Sequence, residues 1–276
     1  MTDTNKTKAQ EFKQQVGLSR AQDARRLMKI SPRERHHAKV LQALRWTHGW
    51  GQTTQKLLLA ACGVTKADFL TKLREHGYMR MEYVIGRTFW LLNKSGVDLL
   101  RSMCNKDDEL AKLSGTRHPN LYAFSHNMYV QAVLAHKLRQ GGHDCQWWCD
   151  RQLRASLTPS EPGSKSPDGA FKDSAGFTTY IEVERSAKRQ PELEVMLLNL
   201  ARLLEKDKKS CAEIYLAEGI QTRYKSTLGQ WLANGTFRAW SQSTEGELFE
   251  SGIYQIPEPL GDAFRRITLI PTKIPS

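Results

Sequence analysis

Residues 177–184 constrain the fold of this 276-residue chain more than any other stretch. They read Phe-Thr-Thr-Tyr-Ile-Glu-Val-Glu, β-branched and aromatic types that favour a pleated strand. Alternation puts Thr179, Ile181 and Val183 on one face, a core face, and Tyr180, Glu182 and Glu184 on the other. The second face carries two carboxylates about 6–7 Å apart along one strand. Like charges so placed repel, and a strand that keeps them in a covered layer calls for a cation between or beside them. Pro167-Asp168-Gly169-Ala170-Phe171 and a turn at residues 173–176 precede this strand, so Asp168 on the neighbouring strand of a hairpin completes an all-oxygen set. Hard oxygen ligands suit Mg²⁺ or Mn²⁺. Two plainer readings stand beside this one. Glu182 and Glu184 form an exposed strand face paired with Arg185 or Lys188, and Asp168 after Pro167 is simple turn chemistry.

Around this strand the pattern alternates between helix and strand. Met128, Tyr129, Val133, Leu134 and Leu138 recur at helical spacing over residues 126–139, ended by Gly141-Gly142. Residues 143–153 read as a first strand, and residues 158–166 as a Ser/Pro/Gly loop. Residues 191–206 are a strongly amphipathic helix, 211–217 a strand, 222–234 a further helix and 237–240 a last strand. The proline-bearing tail from Pro257 is expected to wrap the surface. His126 and His143 read as structural or surface histidines, and Trp147, Trp148, Trp231 and Trp240 as core aromatics.

Charge divides the chain. The net charge is +12, but residues 1–105 hold 19 Lys+Arg against 8 Asp+Glu, a net +11. Such asymmetry is expected of a polyanion-binding part joined to a near-neutral one; a solvated basic surface is the plainer alternative. Residues 1–29 read as a basic flexible arm. Ser31, Pro32 and Glu34 then form a helix start with a capping box, and Val40, Leu41, Leu44 and Trp46 supply its apolar face up to Gly49 and Gly51. A short helix follows Thr53 or Thr54 and stops at Gly63. Thr65 is expected to cap a third, with Phe69, Leu70 and Leu73 inward and Lys66, Lys72, Arg74 and His76 outward. Two β-rich runs around Ile85-Gly86-Arg87 make a hairpin. Three short helices and a hairpin resemble a winged helix-turn-helix. On that resemblance Lys66, Lys72 and Arg74 face the major groove, and Arg80 and Arg87 on the wing reach phosphates; a protein-binding winged helix is the alternative.

Pro167-Asp168, 13 further residues and Glu182-Val183-Glu184 resemble the PD-(D/E)xK nuclease motif, with Glu184 where the lysine usually stands. The helix-strand order resembles the αβββαβ core of restriction-endonuclease-like folds. With the winged helix, the chain is similar to the replication-relaxation family and its MobC-type plasmid relaxases. The resemblance implies an α/β chain, α+β overall. Its parts are an arm at 1–29, a winged helix at 30–105, a linker at 106–120 and a nuclease-like domain at 121–276. It implies that Asp168, Glu182, Glu184 and Asp150 bind Mg²⁺ or Mn²⁺. The missing lysine is supplied by Lys188, with Lys172 and Lys165 as weaker candidates. It further implies metal-dependent nicking of double-stranded DNA at a plasmid transfer origin, with an accessory relaxosome or coupling protein as further partner. The alternative is a DNA-binding replication or relaxosome protein with a vestigial nuclease fold. Tyr180 is the side chain considered for a covalent strand intermediate.

No apolar run approaches the roughly 20 residues of a membrane span, so membrane insertion is not expected. The amino terminus lacks an apolar secretory core, and five cysteines read as reduced thiols of a cytoplasmic protein.

Overall fold

The computed structural model describes residues 31–104, 110, 121–141, 145–156 and 166–272. The expected arm at 1–29 and most of the expected linker and 158–166 loop lie outside them, as do His143 and Lys165. The chain is mixed α/β.

Local signals set the first elements. Ser31 caps helix α1, Pro32–Trp50: its hydroxyl accepts from the Glu34 amide at 3.2 Å while the Glu34 carboxylate accepts from the Ser31 amide at 2.8 Å. Gly51 ends α1 at φ 74°, a backbone that glycine adopts without steric cost. Thr54 caps α2, Gln55–Ala61. Helix α3, Asp68–Glu75, begins two residues later than Thr65 suggests; its cap is Ala67, without a side-chain bond. Strands β1, Met79–Val84, and β2, Arg87–Leu92, form the expected hairpin. An unexpected helix, α4, Lys94–Met103, follows. It lies so close to the start of the hairpin that a Cβ at Gly96 would sit 2.2 Å from the Tyr78 carbonyl oxygen. Backbone cannot retreat cheaply, so Gly96→Ala should cost about 1–3 kcal/mol, read as a lowered denaturant midpoint at unchanged slope.

The second half is built on a five-stranded sheet in the order β3-β4-β5-β6-β9. Helix α5, Leu121–Gly141, leads to β3, Gln146–Cys149, and α6, Asp150–Ser156. Strands β4, Gly169–Lys172, and β5, Thr178–Glu184, continue an antiparallel meander. The Asp173 carboxylate closes their turn, accepting from the amides of Ala175 and Phe177 at 2.9 Å. Helix α7, Gln190–Lys206, crosses to β6, Ser210–Leu216, which pairs parallel with β5. Then come α8, Gln221–Asn234, and an outlying hairpin of β7, Thr236–Gln242, and β8, Leu248–Gln255. Finally α9, Glu258–Arg265, delivers β9, Ile267–Pro271, parallel to β6.

Residues 143–153 are not one strand: β3 ends at Cys149 and the chain turns helical at Asp150, because Gln152 folds back to accept from the Cys149 amide at 3.1 Å. The tail from Pro257 does not merely wrap the surface but supplies a helix and the fifth strand.

Both sheet faces are covered. Trp147, Cys149, Phe171, Ile181 and Val183 join Leu44, Trp46, Leu58 and Leu70 of the helical half in one core. Ala212, Ile214 and Leu216 form a second core with Leu197, Tyr224, Trp231 and Phe264. The first core ties the two halves together. Buried Gln131 on α5 accepts from Trp46 Nε1 at 3.0 Å and donates to the Gln52 carbonyl at 3.1 Å. Arg151 donates to the His48 carbonyl at 3.0 Å. Trp147 and Trp231 are buried, whereas Trp148 and Trp240 are only partly so. All five cysteines are reduced, and burial pushes Cys62 up to about 12 and Cys149 up to about 11. Among the described residues no helix is long and apolar enough to cross a membrane.

Candidate active site

The carboxyl end of β5 gathers the chemistry. Parallel pairing sets Glu182 beside Ile214 and Glu184 beside Leu216, so both carboxylates lie on the face covered by the second core. Glu182 is 2% exposed, Glu184 6% and Asp168, just ahead of β4, 5%. That burial rules out the exposed-strand reading. Bringing carboxylates out of water costs several kcal/mol each in practice, so three at one sheet end point to a use.

Each acid is held by a different element. Asp168 Oδ2 accepts from the Val183 amide at 2.9 Å, tying the start of β4 to the end of β5. Its Oδ1 lies 3.1 Å from His126 Nε2 on α5. Asp168 thus bridges strand and helix, more than turn chemistry alone. Lys188, between β5 and α7, places Nζ 2.8 Å from Glu184 Oε1, with the four-residue spacing bringing it back over the strand end. Arg185 reaches Ser125 with Nη1 and lies over the Tyr129 ring at 5.4 Å, fastening the same corner to α5.

Two side chains here gave no signal in the sequence. His126 reads as a structural histidine, yet it meets Asp168. Tyr224 on α8 is fully buried; burial first, then the carboxylates of Glu184 and Glu182, push its hydroxyl far up, with the Lys188 backbone amide acting the other way.

Other expected residues make other contacts. Asp150 opens α6 and is ion-paired with Arg154 at 2.9 Å, although it follows Cys149, the register partner of Gly169. Lys172 ends β4, at the opposite end of that strand from Asp168. Tyr180 packs against the second core, and burial first, then Asp207, raises its hydroxyl, which disfavours the phenolate. Lys66, Lys72, Arg74 and Arg87 are exposed. Arg80 is not: its guanidinium is spent on Glu82 at 2.8 Å and the Leu92 carbonyl at 2.6 Å, so it braces the hairpin. Arg87 lies over the Phe124 ring at 4.9 Å.

The donor set suits a divalent cation by chemistry, since it is all carboxylate oxygen. As arranged, however, no three His, Cys, Asp or Glu side chains among the described residues form a ready-made metal cage. Comparison with protein-family models, curated proteins and solved structures gives no match.

Proposed function

We propose that this protein is a metal-dependent DNA-nicking enzyme, an endonuclease or relaxase whose basic helical half grips duplex DNA. The observation that carries the reading is the burial of Asp168, Glu182 and Glu184 together at one sheet end, with Lys188 on Glu184. Asp168, Glu182 and Glu184 are the residues that would hold Mg²⁺ or Mn²⁺, which supplies charge neutralisation at a phosphodiester and an acidified water. Lys188 would neutralise developing charge on phosphate oxygens, the task of the motif lysine that Glu184 replaces; its ion pair with Glu184 supports that reading. His126 orients Asp168. Tyr180 is a poor nucleophile where it lies, so water is the better attacking group.

The order of helix, three-stranded meander, crossover helix and parallel strand agrees with a restriction-endonuclease-like core, and three helices with a hairpin agree with a winged helix. On that reading Lys66, Lys72 and Arg74 meet DNA and Arg87 meets phosphate. A plasmid transfer origin as substrate, an accessory relaxosome or coupling protein as partner and a cytoplasmic setting follow from the family resemblance.

A second reading is a DNA-binding accessory protein with a vestigial site, and Glu184 at the position of the motif lysine favours it. Incubation with supercoiled plasmid in Mn²⁺, Mg²⁺ or EDTA separates the two. Metal-dependent open circles that disappear in Asp168→Ala support the enzyme; tight binding without nicking in either metal supports the accessory protein. Lys188→Met should slow nicking by about 10²-fold or more with duplex affinity unchanged. An unaffected rate removes Lys188 from the site.

A further inference from the structure

The hairpin β1–β2 turns through Ile85 at φ 47° and Gly86 at φ 72°. Positive φ at both central positions is the turn that Asn-Gly or Asp-Gly makes readily. A β-branched side chain is disfavoured there, and Ile85 is the one non-glycine residue with positive φ among the described residues. Nothing packs on it in return: Ile85 is 79% exposed and Tyr83 75%. Exposed Met81 and Tyr83 occupy alternate positions on one side of β1, and Ile85 stands in the turn just beyond its end, which makes a narrow apolar ridge toward the tip.

Exposed Arg87 follows the turn, and this half of the chain carries the net +11. A ridge one residue wide falls well short of the roughly 800 Å² per partner of a stable protein interface. An apolar wedge flanked by basic side chains is instead the device by which proteins enter a minor groove and part a base step. We propose that Tyr83 and Ile85 form such a wedge, inserted into duplex DNA to unstack one step. The inference rests on the DNA-binding reading above.

The test uses the full chain and a short A·T-rich duplex carrying 2-aminopurine, whose emission rises on unstacking. Wild-type protein should bind and raise the emission. Ile85→Asn should melt at higher temperature, because asparagine relieves the turn, yet lose the emission change and bind about tenfold more weakly. The salt dependence of binding should stay the same, since no charge is removed. Tyr83→Ser should act in the same direction. Duplex binding and emission that are indifferent to Ile85→Asn overturn the wedge while leaving the DNA reading intact. An Ile85-dependent self-association seen by sedimentation also overturns it, in favour of a protein partner. Failure of the wild-type protein to bind duplex at low salt defeats the DNA reading itself.

Discussion

Replacing Glu182 by glutamine should lower metal-dependent nicking by at least about 10²–10³-fold while leaving duplex affinity within about twofold. The substitution keeps the side-chain volume and removes the charge, so the second core against which Glu182 packs stays filled. Because glutamine removes the desolvation cost of a buried carboxylate along with its charge, folding stability should hold. That pairing of lost activity with retained stability separates a functional acid from a structural one. A structural carboxylate would show the reverse, with a lowered melting temperature and little change in rate per folded molecule. The rate should be measured on supercoiled plasmid and the affinity on a labelled duplex in EDTA, so that binding and cleavage are read apart.

Trp46→Ala should be the most damaging single change to the fold, at about 3–5 kcal/mol. The indole is fully buried, lies 4.8 Å from the Trp147 ring, and donates to Gln131, which itself holds the Gln52 carbonyl. Removing it opens a cavity and strips a partner from a buried amide at once. A typical domain is stable by only about 5–15 kcal/mol, so the loss is a large share of the total. Since Trp46 and Trp147 belong to one core spanning both halves, the chain should unfold in one transition, displaced as a whole in the variant. Urea titrations followed by tryptophan emission and by far-ultraviolet dichroism check this. Two separated transitions, only one of them shifted, would instead mean that the halves fold independently.

What was legible in the sequence was local. The capping box of α1 needs only Ser31 and Glu34, and the β1–β2 turn is marked by Ile85-Gly86. The alternation in β5 is readable from seven residues, and it assigns Tyr180 to one face and Ile181 and Val183 to the other, as their two cores confirm. Long-range pairing was not legible. That β5 is covered on both faces depends on parallel pairing with β6 and on α8, which brings Tyr224 to the carboxylates from 40 residues beyond Glu184. Residues 267–271 are a short apolar run without a period of their own, and only the sheet makes them a strand. Residues 143–153 misled because Trp147-Trp148 favour a strand and no glycine or proline marks the change to helix at Asp150. His126 gave no sign because its contact with Asp168 spans 42 residues.

If the buried acids at the end of β5 hold a divalent cation, the protein binds that cation without DNA. Calorimetric titration of Mn²⁺ into the DNA-free protein tests it most directly. One saturable site is expected, competed by Mg²⁺ and weakened at least about tenfold by Asp168→Asn and by Glu182→Gln. Absence of saturable Mn²⁺ binding to a folded protein, or binding indifferent to both substitutions, would contradict it.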